Sequence, residues 1–425
     1  MKIQELTRLL LNEELDAKLI DLYEDPELLK YQRNRYLKTI EKFRECFDDE
    51  DIAIYSAAGR SEVGGNHTDH QHGQVLAASI NLDAIAVVAS QERFIDIVSD
   101  GKVIEQIDIN DLDKRDEEVS TSAALVRGVL AGLAKEGYKL GGFKAYVTSD
   151  VLIGAGLSSS ACFEVLIGTI ISGLYNDNQI DKVVLAKIGQ YSENVYFGKP
   201  CGLMDQCACS VGGLINIDFK DVENPVVKHL DVDFSKYGYS LCIVDTKGDH
   251  SDLTDEYASV PVEMKEVANC FGKDYLREVD ASEFYDNLAN LRNKVSDRAI
   301  LRAHHYLNEH ERVTKLVDAL NHDDFESFKA TIEASGNSSY KYLQNVFASS
   351  DPDHQAVSLG LAISEMVLKG HGVCRVHGGG FAGTIQCFVE DDYVKTYQES
   401  IEKLFGVGTC HILKIRKYGG LEFIK

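Results

Sequence analysis

The chain is poor in the features that mark several protein classes. Its ten cysteines include no CxxC pair, no block of lysine or arginine stands out, and five prolines are all there are to mark linkers. No internal repeat and no low-complexity segment is present. Scattered cysteines predict reduced thiols rather than a disulfide frame or a zinc knuckle. With 44 basic against 68 acidic residues the formal net charge is -24, and without a cationic stripe nucleic acid and anionic membrane are poor partners. No stretch approaches the run of about 18 to 20 apolar residues that a membrane span needs. The opening, "MKIQELTRLLLNEELDAKLIDLYEDPELL", lacks both the apolar core of a signal peptide and the Arg-rich composition of a transit peptide. A cytoplasmic protein is expected.

What is present is an ordinary globular composition, 44% apolar and 26% charged, over 425 residues. That length exceeds what one core usually holds, so two domains are expected. Residues 1–48 read as helices, an extension packed on the outside of the first domain. From 52 the period changes to short alternating or β-branched runs, the strands of a mostly antiparallel sheet. A helical stretch, 118–136, leads to the strand "FKAYVTSD", which runs straight into "VLIGAGLSSSACFEVLIGTIISGLY": strand, glycine turn, buried helix. "LDVDFSKYG" is the best candidate boundary, giving a first domain over 49–235 and a second over 236–425. The second is helical from 255 to 345 and again from 352 to 370, then alternates strand, glycine turn, strand, helix and strand. This predicts an α+β domain with a small antiparallel sheet.

Three stretches carry chemistry. In "GAGLSSSA", residues 154–161, two glycines permit a tight turn and close approach to a ligand where an apolar helix begins. A helix start offers unpaired N–H groups and a positive dipole end, a ready anion site. The absence of a Gly-Lys-Ser/Thr ending excludes a P-loop of the Walker type. A capped helix packed on a strand is the plainer alternative. "HGGGFAGT", 377–384, has four glycines in six positions, which points to close backbone approach or a simple hairpin turn. "GGNHTDHQHG", 64–73, gathers His67, His70 and His72 around Asp69, a composition open to a metal cage, a catalytic centre or a sugar clamp. Cys201, Cys207 and Cys209 could bind metal, with small core residues the stronger reading.

Taken together and in this order, "GRSEVGGNHTDHQHG", "GAGLSSSA" and "HGGGFAGT" resemble the GHMP kinase superfamily. The first motif and the later "GLMDQ" resemble the galactokinases within it, from about residue 40 onward. The resemblance implies an α+β fold of two domains: an N-terminal domain like ribosomal protein S5 domain 2 and a ferredoxin-like C-terminal domain, with the site in the cleft between them. It implies an ATP-dependent sugar 1-kinase that converts α-D-galactose to galactose 1-phosphate in galactose catabolism. By the same resemblance Arg60 and Asp205 flank the reacting anomeric hydroxyl. A guanidinium can stabilise charge on the transferred phosphoryl, and a carboxylate can orient or deprotonate the attacking hydroxyl. Gly154, Ala155, Gly156, Leu157, Ser158, Ser159 and Ser160 correspond to the ATP phosphate loop, and Ser160 with Glu193 to the Mg²⁺ ligands. Asn66, His67, Thr68 and Asp69 correspond to the sugar clamp, and Tyr257 to an aromatic lining the sugar pocket. The implied partners are a sugar and ATP, with a monomer or weak dimer expected.

The family's clamp reads Gly-Glu-His-Thr-Asp-Tyr, so Asn66 stands where a glutamate reaches toward the sugar's C6 hydroxyl. Asparagine loses the charge and adds donors, and would tolerate a carboxylate at C6. Plant galacturonokinases share this feature and a "DHQ" like Asp69, His70 and Gln71, making galacturonate or another C6-variant sugar the alternative substrate. A non-catalytic sensor of galactose and ATP is the alternative of a different class. Leu152, in place of a proline, and Val376 with His377 are smaller departures.

Overall fold

The computed structural model describes residues 1–425 except 49–50, 152–155 and 249–252. Helices α1 (Ile3–Leu11), α2 (Asp16–Tyr23) and α3 (Leu29–Phe47) open the chain. Strands β1 (Ala53–Gly64), β2 (Gln74–Gln91), β3 (Phe94–Ser99), β4 (Lys102–Val103) and β5 (Ile107–Asp108) follow, then α4 (Ser122–Lys135) and β6 (Gly142–Ser149). Next come α5 (Ser159–Tyr175), α6 (Lys182–Tyr191), a π-helical stretch Ser192–Phe197, α7 (Met204–Val211), β7 (Leu214–Asp218) and β8 (Val226–Leu230). The second half contains β9 (Tyr239–Asp245), α8 (Thr254–Asn269), the short α9 (Ala281–Asp286) and α10 (Leu288–Leu291), and the long α11 (Asp297–Asn321). After α12 (Phe325–Ser338) a second π-helical stretch covers Ser339–Leu343. The chain closes with α13 (Ala356–Leu368), β10 (Gly372–Val376), β11 (Thr384–Glu390), α14 (Val394–Phe405), β12 (Cys410–Leu413) and β13 (Leu421–Ile424).

A nine-stranded sheet runs β13-β1-β2-β6-β3-β4, with β5 on β3, β7 on β2 and β8 on β7. Only the β3–β6 pairing is parallel among the described residues. The second sheet, β10-β11-β9-β12, is antiparallel throughout. Side chains alternate across a strand, so β1 and β2 feed two cores. Tyr55, Ala57, Ala86 and Val88 cluster with α4 and α5 residues such as Val126 and Val165. Ile54, Ile85 and Val87 cluster instead with Leu6, Leu19, Tyr36, Ile40 and Phe43 of the N-terminal helices. Those helices therefore cover the face of the sheet that α4 and α5 leave open.

The last strand returns to the first sheet. The expectation of a second domain over 236–425 does not anticipate β13, which pairs with β1 of the first sheet. Phe423 and Ile424 both enter the N-terminal core with Leu421 packed on it, and burying these side chains favours the return. Helix α11 ties the halves together, touching β1 and β2 on one side and α8 and α12 on the other.

Candidate active site

β1 carries Arg60 to the head of α5. A Cβ on Gly59 would lie 3.2 Å from Val151 and 3.3 Å from the Leu157 carbonyl, so glycine lets the two segments close on each other. Arg60 Nε and Nη2 donate to the two carboxylate oxygens of Asp205 at 2.7 and 2.8 Å, a bidentate pair. Its Nη1 donates to the Gly156 carbonyl. Asp205 occupies the first turn of α7, where the helix dipole favours an anion. Ser158 precedes α5 in a left-handed conformation, φ 57°, and its hydroxyl donates to Asp205 rather than capping the helix. Burial works to raise the Asp205 carboxyl, and the Arg60 guanidinium with the Ser158 hydroxyl outweighs it. The carboxyl is held below the usual range and is ionised at neutral pH.

The third glycine motif reaches this point from the other half. A Cβ on Gly156, whose φ is 66°, would lie 3.2 Å from Thr384 Oγ1 and 3.6 Å from His377 Nδ1. Leu157 is buried in the core behind the turn, and Ser159 begins α5. Gly154 and Ala155, like Leu152, lie outside the described residues.

Ser160 and Glu193 also converge: Ser160 Oγ donates to Glu193 Oε1 at 3.0 Å. Two oxygens that each bind one Mg²⁺ at about 2.1 Å lie about 3 Å apart, so the pair suits that ion. The π-helical stretch at 192–197 delivers Glu193 to this place, and Gln206 pins its other oxygen at 2.9 Å. Gln206 also donates to Glu164 at 3.1 Å. Glu164 Oε1 and Gln206 Oε1 are buried without partners, a polar lining left open beside Glu193. Among the described residues no group of three His, Cys, Asp or Glu side chains is placed to hold a metal. That removes the cage once open for residues 67–72 and for Cys201, Cys207 and Cys209. All ten cysteines are free thiols, and the His72 ring is stacked on Tyr275 at 3.6 Å.

The clamp motif folds into a tight loop against the third glycine motif. His67 Nε2 lies 2.9 Å from the Gly379 carbonyl, an acceptor, so this nitrogen carries the proton. His67 Nδ1 is then a bare acceptor, buried and unpartnered. Asp69 approaches from the same loop; a Cβ on Gly202, just ahead of "LMDQ", would lie 2.4 Å from its Oδ2. The glycine thus permits the clamp and the Asp205 helix to meet.

Asn66, Thr68 and Tyr257 are each held by protein partners. Asn66 is fully buried, and its Nδ2 donates to Glu62 Oε1 at 3.1 Å and the Gly378 carbonyl at 2.6 Å. Its Oδ1 accepts from Asn345 at 2.8 Å and Ser339 at 3.2 Å. A side-chain amide has two donors and two acceptor sites, so no bonding position remains for a sugar hydroxyl. Thr68 turns its hydroxyl onto its own loop, 2.8 Å from the Gly65 carbonyl and 2.5 Å from that of Gln74. Tyr257 donates to the Gly380 carbonyl at 2.8 Å and packs its ring on Phe381.

Several residues that hold the loop carry no local signal in the sequence. Arg375 pairs with Glu62 at 3.0 Å. From α11, His305 Nε2 donates to the Asn66 carbonyl at 3.0 Å, Tyr306 to the Gln71 carbonyl at 3.0 Å, and Glu309 accepts from Gly65 N at 3.2 Å. His377 accepts from Glu62 N at 3.3 Å and donates to Thr384 at 3.0 Å. Burial holds His67, His305 and His377 below the ordinary imidazole pKa, with Arg60 and Arg375 lowering His377 further. His67 is brought down to about 4. An unfolded chain takes up these protons near pH 6.5, whereas the folded one does not. Stability is therefore complete above that pH and falls on acidification, for His67 by about 1.4 kcal/mol per pH unit between the two pKa values, with His305 and His377 acting in the same direction. Urea midpoints at pH 7 and pH 5 should show the loss, and equal midpoints would refute the neutral, buried assignment.

Known proteins resemble this chain in sequence and in fold. Residues 124–213 match the family described as GHMP kinases N terminal domain, and residues 41–90 match the galactokinase galactose-binding signature. The fold is that of a GHMP kinase. A galactokinase of Lactococcus lactis, solved in complex with galactose, superposes with a TM-score of 0.76 at 23% identity, covering 91% of this chain and 99% of that one. The galactokinase of Thermotoga petrophila is 30% identical over 77% of this chain and 87% of its own length. That of Streptomyces coelicolor is 29% identical over 86% and 92%. The chain belongs to the galactokinase family.

Proposed function

We propose that the protein transfers the γ-phosphoryl group of ATP to the anomeric hydroxyl of α-D-galactose, giving galactose 1-phosphate and ADP. The Arg60–Asp205 pair at the head of α5 carries this reading, because it sets a fixed cation and an ionised carboxylate side by side where α5 and α7 begin. The helix start at Ser158–Ser160 receives the phosphates, and the bare Nδ1 of His67 accepts a hydrogen from a sugar hydroxyl. Asp69 accepts a second. The C1 hydroxyl oxygen attacks the γ-phosphorus as the bond to the β–γ bridging oxygen breaks, and Asp205 accepts the hydroxyl proton. Arg60 stabilises charge on the transferring oxygens. Ser160 and Glu193 would hold Mg²⁺, which neutralises phosphate charge when bound.

Galactose is favoured over galacturonate by the pairing of cations. Among the described residues, each arginine against the clamp is already matched: Arg60 with Asp205, Arg375 with Glu62, and Arg312 with Glu309. None is left to hold a carboxylate at C6. Phosphorus NMR of the product tests the position of transfer: the expected product is a phosphate at C1 with no reducing end, and a 6-phosphate would reject the reading.

Asn66 acts here as a strut between the halves rather than as a ligand. Asn66→Asp would set a carboxylate beside Glu62 and against the Gly378 carbonyl, replacing two donor contacts by repulsion. The expected loss is about 3 kcal/mol of stability. Chemical denaturation measures it, and wild-type stability would show that Asn66 is not held as described.

A further inference from the structure

The N-terminal layer does more than cover a sheet. Arg35, on α3, is 8% exposed and reaches across the layer to the end of β6. Its Nη1 lies 2.6 Å from Asp83 Oδ1 and 3.0 Å from Asp150 Oδ2, and its Nη2 donates to the carbonyls of Asp83 at 2.8 Å and Thr148 at 3.2 Å. Tyr31, one turn earlier on the same helix, donates to Asp150 Oδ1 at 2.9 Å. Both oxygens of Asp150 are thus held by α3, while its N–H donates to the Asp83 carbonyl at 2.9 Å. Asp83 is fully buried, and its second oxygen accepts from Tyr23 at 3.0 Å and Arg416 at 2.9 Å. The frame to which Asp150 is tied is therefore rigid. Val151 follows immediately, buried against Gly59, which precedes Arg60. Arg60 N in turn donates to the Leu157 carbonyl at 3.3 Å.

We propose that Tyr31 and Arg35 are positioning residues for the nucleotide: acting through Asp150, they fix the strand end from which the phosphate loop departs. This rests on the reading of 154–160 as that loop. A covering layer alone would need only the apolar faces of its helices. The two polar side chains aimed at one carboxylate hold Val151 against Gly59, and through it the seat of Gly156 and Leu157 beside Arg60.

The test uses the full chain with Tyr31→Phe and Asp150→Asn. Tyr31 is 52% exposed, so its variant removes a hydroxyl without opening a core. Both variants are expected to raise KM for MgATP, and Kd for a fluorescent ATP analogue, by about three- to tenfold, with KM for galactose and kcat at saturating ATP kept within about twofold. Arg35→Lys should fall between them and wild type. Ser160→Ala, measured alongside, separates the two readings. If ATP affinity falls for Ser160→Ala but not for Tyr31→Phe or Asp150→Asn, and these only melt earlier, the positioning role is overturned. If it falls for none of them, the phosphate-loop reading fails and this proposal with it.

Discussion

Arg60→Ala is expected to lower kcat by about a thousandfold or more while Kd for galactose changes by no more than a few fold. The guanidinium touches both the Asp205 carboxylate and the turn ahead of α5, through its bidentate pair and the Gly156 carbonyl. Its loss removes charge stabilisation from the transferring phosphoryl and leaves Asp205 without the cation that keeps it ionised. A second effect follows from that coupling: the variant's pH–rate profile should lose activity at a higher pH than wild type, because the Asp205 carboxyl is released upward toward neutrality. Pre-steady-state measurement of ADP formation checks the first expectation. A variant within tenfold of wild-type kcat would show that the guanidinium is structural.

Asp205→Asn should lower kcat by about 10²- to 10⁴-fold, again with galactose binding largely kept. The amide preserves shape and one acceptor but presents an N–H where Arg60 and Ser158 also donate. It can neither take the hydroxyl proton nor balance the guanidinium. Because the two side chains act as a unit, the double variant should be little worse than the slower single one, and additive losses would contradict a shared role. Wild-type turnover in Asp205→Asn would remove it from the reaction.

The sequence displays some of this machinery openly and conceals the rest for a physical reason. The chemistry of a helix start is local, so "GAGLSSSA" can be read as a candidate anion site before any contact is known. Helical period likewise marks 352–370, close to the observed Ala356–Leu368. The Arg60–Asp205 pair spans 145 residues and is legible only through resemblance to a family. The bonding of Asn66 is hidden for the same reason: apart from Glu62, the partners that fill its amide, Ser339, Asn345 and Gly378, come from 273 to 312 residues away. Its burial is decided by the long α11 and the second π-helical stretch, which no short window foretells. β13 is similar, a four-residue strand whose pairing with β1 depends on the N-terminal core beneath it.

The most direct test of the central claim is ADP release from MgATP by the purified protein, run side by side with galactose, galacturonate, galactosamine and L-arabinose. The account predicts turnover with galactose far above the other three. Preference for galacturonate would contradict the paired-cation argument, and silence with every sugar would contradict the kinase assignment itself.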